Sequence, residues 1–459
     1  MTNFDTRTST RTITKARTML RAISILFASV AIVGSAHAQD LTHKAPVQDN
    51  PIAIVGGTVH TISGETYENG YVTFDKGVIT GVGEGRPRNA RGAEVIDATG
   101  MHIYPGLVAA NTQMGLVEIG AVRATLDYAE TASVSPEVRA AVSVNPDSTV
   151  IPVTRLNGIL TCGVFPLGGL VPGRASVIRM DGWTWEDLTI KDDAGLVVNW
   201  PSLRPVRWRL KDKPAKEQRK EATERVQRLA DTFEQAEAYL LAKDADGSIE
   251  TDIRWESMRP YIIGGNRFFV RANELEQIQS AVAWASEHEY TITIMGGRDA
   301  HLCTDLLVRH GVGVIVTGTH RLPKRRDEVY DAPFTLPAQL EEAGVSWCLA
   351  TTGGSFNTPH ERNLPYHAGT AVGFGLTREA AMRSITLSAA ELLGVGDSLG
   401  SLDEGKAATL IITDGDPLEI YTTTVLHAFI DGRSIELTSK QTKLAEKYRA
   451  KYRQLGLID

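Results

Sequence analysis

The sequence predicts an α/β fold: a (β/α)8 TIM-like barrel carrying a discontinuous β-sandwich domain built from N- and C-terminal strands. Three observations lead there. Short β-rich runs separated by Gly turns fill residues 52–104, and similar runs return at 408–413 and 425–430, closed by Asp431-Gly432. Between them, apolar β-branched segments alternate with helical ones, the pattern of parallel βα units.

The first 38 residues are set aside from the fold. Lys15, Arg17 and Arg21 precede the apolar run Ile23 to Val33, which ends at Ala36-His37-Ala38, the pattern of a cleavable export signal. The run is about half the length of a spanning helix, which argues against an anchor. Met1 and Met19 are both compatible start points for this module. The chain is therefore expected to be exported, to the periplasm or beyond. Without residues 1–38 it keeps 43 basic and 54 acidic residues, a net charge of −11. That disfavours nucleic acid and, once the signal is removed, a membrane as partner.

The sandwich strands are Ile52–Ile62, Tyr71–Asp75, Val78–Val82, Glu94–Ile96 and Met101–Tyr104, with turns at Asn69-Gly70 and Lys76-Gly77. They form a composite domain over 50–105 plus 400–437. The barrel, 106–399, has strands at 107–111, 159–165, 175–180, 194–199, 267–271, 291–295, 313–317 and 345–351. Ser176–Met180 and Leu196–Asn199 also suit a local hairpin around Gly182-Trp183. Helices are expected at 274–288, 300–310, 336–343 and 378–393. In 215–243, Val226, Leu229, Phe233, Ala236 and Leu240 recur at helical spacing, the single apolar stripe of a helix lying over the barrel. A helix over 438–459, with Leu444, Tyr448, Tyr452 and Leu455 in stripe, reads the same way. Cys162, Cys303 and Cys348 form no CxxC pair and read as buried thiols.

Val95-Ile-Asp-Ala-Thr-Gly-Met-His-Ile-Tyr-Pro-Gly-Leu107 hands a sandwich strand to the first barrel strand through Pro-Gly. Ser384–Gly394 followed by Gly400-Ser-Leu-Asp-Glu-Gly-Lys-Ala-Ala-Thr-Leu-Ile-Ile-Thr-Asp414 makes the return. With Leu322–Phe334 and Asn363–Tyr366, these stretches resemble the amidohydrolase superfamily, in its imidazolonepropionase-related branch, over about residues 50–437. The resemblance implies metal-assisted hydrolysis of non-peptide C–N bonds. Imidazoles and carboxylates at strand C-termini hold one or two divalent ions, typically zinc, that activate water.

The ligand positions it implies fall here on Asn111, Gln113, the vicinity of Asn199, Arg271, Gly296 or Gly297, and Thr352 or Gly353. Amides are poor zinc ligands, and a guanidinium sets a permanent cation where the metal belongs. No metal cofactor is therefore expected, zinc returning only if the correspondence is shifted. The pocket is expected from Asn111, Gln113, Asn199, Arg271, Gly297, His320 and Thr352, with Arg271, His320 and Asn111 suited to a carboxylate-bearing ligand.

Asp299, His301 and His320 are the candidates for metal-free acid–base work at the strand C-termini, with His360 and His367 in the loop beyond the eighth strand. Each also reads as an ordinary loop or helix-end residue. Gly168–Gly173 and Thr351–Ser355 lack the ending or the spacing of a phosphate loop and read as turns. Two functions follow. One is a hydrolase of a small C–N substrate with remodelled chemistry. The other is a non-catalytic ligand-binding or regulatory protein that partners an intact amidohydrolase homologue.

Overall fold

The computed structural model describes residues 43–88, 91–205 and 213–458; the expected export signal over 1–38 lies outside them. Among the described residues, sixteen strands, numbered along the chain, fall into two sheets. The first unites the two ends of the chain. Strands β1 (Ile52–His60), β2 (Thr66–Asp75), β3 (Val78–Glu84), β4 (Glu94–Asp97) and β5 (His102–Pro105) join β14 (Leu410–Thr413), β15 (Val425–Ile430) and β16 (Arg433–Ser434). The seam is the antiparallel pair β5–β14, with Tyr104 opposite Ile411. The two ends share one apolar core, in which the Phe74 and Phe429 rings meet edge to face at 5.2 Å.

The second sheet is the barrel. It runs in sequence order through β6 (Leu107–Thr112), β7 (Ile159–Val164), β8 (Gly173–Arg179), β9 (Thr189–Asn199), β10 (Phe268–Ala272), β11 (Ile292–Gly296), β12 (Gly313–Thr317) and β13 (Trp347–Ala350). All eight expected strands are present. One runs the other way, because β8 is antiparallel to both β7 and β9. Chain length explains this: 8 residues separate β7 from β8 and 9 separate β8 from β9, whereas a parallel crossover needs about a dozen. The hairpin alternative at 176–199 is thus the one observed. The circle is nearly closed; β13 and β6 lie at its two ends, and β6 donates its Val108 N–H to Ile385 O at 2.8 Å. That contact lies where the expected helix 378–393 breaks into Arg378–Ser384 and Leu387–Leu392.

Strand alternation sends Val108, Val177, Val197, Phe269, Met295, Ile315 and Cys348 into the barrel interior, sealed with Leu392, Leu393 and Leu399. The opposite faces pack on the surrounding helices. Helix Ala215–Ala245 buries Leu229, Phe233, Ala236 and Leu240 as its stripe predicts, and Phe233 sits 4.9 Å from the Trp284 ring. The C-terminal helix, Lys440–Gln454, departs from expectation. It forms, with Ser439 as a capping box, but buries none of its residues, and Leu444, Tyr448 and Tyr452 remain exposed. The three cysteines are free and buried. No helix among the described residues is long and apolar enough to cross a membrane.

Candidate ligand site at the barrel mouth

The C-terminal ends of the parallel strands carry the residues singled out in sequence, and hydrogen bonds join several of them across the mouth. Asn111, at the end of β6, donates through Nδ2 to Thr351 O at 3.2 Å. Gln113 spends both ends of its amide: Nε2 donates to Phe165 O at 3.1 Å, and Oε1 accepts the Gly354 N–H. The next carbonyl after Phe165, that of Pro166, accepts from Arg271 Nη1 at 3.0 Å, and the same nitrogen donates to Asn199 Oδ1 at 3.2 Å. Asn199 continues the series with Nδ2, which donates to Gly168 O and Gly169 O, each at 2.9 Å. A polar chain therefore spans the mouth from the loop after β13, through β6 and the β7 loop, to β9 and β10.

Gly353 shows how tightly this end is built. Its φ is +63°, in the region that favours glycine, and a Cβ there would lie 3.0 Å from both Asn111 Nδ2 and Gln113 Oε1. Gly297 is likewise a backbone solution, at φ +61° with a virtual Cβ 2.5 Å from Val314.

These residues do not fit a divalent metal. The amide nitrogens of Asn111, Gln113 and Asn199 are turned to carbonyls as donors, and donors repel a cation. Arg271 adds a positive charge. Burial lowers its guanidinium pKa to about 10, which leaves it charged at neutral pH. Its Nη2 is buried and, among the described residues, has no hydrogen-bond partner. Nor, among those residues, does any group of three His, Cys, Asp or Glu side chains converge to hold an ion.

The acid–base candidates stand in different surroundings. Asp299 is buried and clamped by Arg325, with Nη1 2.8 Å from Oδ2 and Nη2 2.9 Å from Oδ1. Burial works to raise its pKa, but the Arg325 hydrogen bonds and the neighbouring guanidinium charges carry it below the usual value. It is a structural anchor held as an anion. His301 is half-buried, its Nδ1 has no partner among the described residues, and burial lowers its pKa. His320 stacks on His367 at 3.9 Å and shares its Nε2 with Thr370 Oγ1 at 2.7 Å. Burial, and then His320, lowers His367 to about 3, and burial lowers His320 as well. His320 is thus tied to the helix Leu364–Gly373 and not to Arg271 and Asn111, with which the sequence reading had grouped it. His360 lies exposed, with its Nδ1 at Phe356 O.

Two features escape sequence reasoning. Glu361, on the 3-10 turn Thr358–Asn363, is fully buried and accepts the Thr351 hydroxyl at 3.0 and 2.9 Å; burial, opposed by that hydroxyl, pushes its carboxyl up to about 7. The other is a cavity of about 310 Å³ over the ends of β11 and β12, lined by Gly296, Gly318 and Thr352 together with Arg298, Arg321 and Lys324. Of the predicted pocket residues, Thr352 lines it; Asn111, Gln113, Asn199 and Arg271 belong to the polar chain beside it.

Comparisons with known proteins agree with this architecture. Residues 273–439 match the amidohydrolase family. The chain is 22% identical over 393 residues to the amidohydrolase tasK of Hapsidospora irregularis, covering 79% of this chain and 39% of that protein. It is 30% identical over 105 residues to an imidazolonepropionase of Syntrophobacter fumaroxidans, 23% of each chain. It thus spans well under half the length of these curated relatives. Among solved structures, an amidohydrolase from Thermotoga maritima superposes with a TM-score of 0.73 at 24% identity, over 84% of this chain and 99% of that one.

Proposed function

We propose, from the premise that the chain belongs to the amidohydrolase superfamily, that it is a non-hydrolytic member whose barrel mouth binds a small molecule without a catalytic metal. One observation carries this reading: the residues at the family's ligand positions are engaged with one another and with the backbone. Asn111 and Gln113 hold the β13 loop, and Arg271 and Asn199 hold the β7 loop. A metal would have to displace a hydrogen-bonded chain and sit beside a permanent cation. The Coulomb term alone opposes that in a partly desolvated mouth.

The N-terminal signal pattern supports export, and a role beside an intact homologue in the same compartment fits a barrel that retains a pocket but not the metal chemistry. The test is a screen of cyclic amides and dipeptides with and without chelator, together with co-purification from the native envelope. The expected outcome is no chelator-sensitive turnover and recovery with a His-x-His amidohydrolase. Chelator-sensitive hydrolysis by the isolated chain would overturn the reading.

A further inference from the structure

We infer that the cavity over β11 and β12 is an anion site, built to take a small ligand bearing a carboxylate or phosphate group. The inference rests on the reading above, in that it supplies the ligand class of a mouth without a metal. Every charged side chain that lines the cavity is basic: Arg298 follows β11, and Arg321 and Lys324 follow β12. No carboxylate lines it. Three acids, Asp299, Glu328 and Glu274, sit beside these cations, and each is held by other partners as well. Asp299, with 1% of its side chain exposed, is held by Arg325, and Glu328, with 6% exposed, accepts the backbone N–H of Lys324 at 2.8 Å and of Arg325 at 3.2 Å.

What these acids leave to the lining cations is small. Arg321 reaches Glu328 at 3.3 Å through one nitrogen, and Arg298 reaches Asp299 at 3.4 Å and Glu274 at 3.6 Å. Lys324 has no carboxylate within ion-pair distance among the described residues. A guanidinium carries five N–H donors, so both arginines keep donors for a ligand. Both are also positioned by the contacts they do make, with 14% and 16% of their side chains exposed. Two pre-oriented guanidiniums and an ammonium around a concave site focus a positive potential that favours an oxyanion over a neutral or cationic ligand. Asn273, Thr317, Thr352 and two glycines supply further polar lining, and Val316, Pro333 and Leu336 form an apolar wall for the ligand's carbon skeleton.

Calorimetric titration of the full mature chain with succinate, with inorganic phosphate and with neutral succinamide tests this. At least one of the anions is expected to bind with an affinity that falls as salt rises, and succinamide is expected not to bind. A preference for succinate identifies a carboxylate ligand, and one for phosphate identifies a phosphate ester. Lys324→Gln, at an exposed position that holds nothing else in place, is expected to weaken binding about tenfold, and Arg298→Gln to weaken it further, with unchanged thermal unfolding of the Lys324 variant as the folding control.

Failure of both anions to bind, equal binding of succinamide, or wild-type affinity in both variants would overturn the inference. The same preparation assayed for chelator-sensitive turnover separates the two ideas. Absence of anion binding without turnover removes only the anion site, whereas turnover removes the non-hydrolytic reading.

Discussion

Gln113 carries more structure than its place in the sequence suggests. Replacing it with Leu leaves the Gly354 N–H and the Phe165 carbonyl without their partner, and unpaired buried backbone groups cost about 1–3 kcal/mol each. We expect Gln113→Leu to lower unfolding stability in urea by about 2–4 kcal/mol; a loss below about 1 kcal/mol would mean the polar chain is not holding the mouth. Glu361 makes a pH prediction. With its folded pKa raised to about 7, the folded chain keeps a proton that the unfolded chain releases near 4.5. Its contribution is full below the unfolded value and is lost as pH rises through about 7. Half-buried His60 and buried His367, lowered to about 4 and about 3, act the other way, adding stability as pH rises towards the ordinary imidazole value. Comparison of wild type with Glu361→Gln isolates the carboxyl. The variant should gain relative stability progressively between about pH 4.5 and 7, by on the order of 3 kcal/mol, and parallel pH curves would contradict this. Asn111 and Gln113 were legible in sequence because they follow the Pro-Gly entry to the first barrel strand at fixed spacing. Glu361 was not, since nothing local distinguishes a loop carboxylate that will be buried from one in water. Arg298, Arg321 and Lys324 were invisible as a group because three separate loop positions converge only after β11 and β12 pair.

At the scale of elements, hydrophobic period located all eight barrel strands but could not give direction. A buried strand reads the same whichever way it runs, and the short connectors on both sides of β8 decide its reversal. The two amphipathic helices show the same limit. Their stripes look alike in sequence, yet helix Ala215–Ala245 buries its stripe against Phe268 and Trp284, while Lys440–Gln454 leaves its own in solvent. Periodicity reports that a helix has an apolar face and does not report what meets it. Thermal or urea unfolding distinguishes them. Phe233→Ala should cost about 3–5 kcal/mol, as expected for a large buried aromatic. Deletion of residues 440–458 should leave the barrel's stability within about 0.5 kcal/mol, the range of surface changes. A large loss on deletion would show that the C-terminal helix supports the fold.

For the whole molecule, the arrangement unites chain ends that lie more than 300 residues apart, and that union was readable because each end repeats the same short-strand composition. The barrel between them shares its fold with the Thermotoga maritima amidohydrolase, while its mouth is tied by amides, a guanidinium and backbone carbonyls. Asn111, Gln113 and Gly353, which the family resemblance alone brought into one argument, lie side by side at the mouth, where a Cβ on Gly353 would stand 3.0 Å from both amides. The central claim is that this mouth does not hold a divalent ion. Elemental analysis of the full chain purified from zinc-supplemented cells tests it most directly: well under one equivalent of any divalent metal per chain is predicted, and one or two equivalents that survive dialysis would contradict the account.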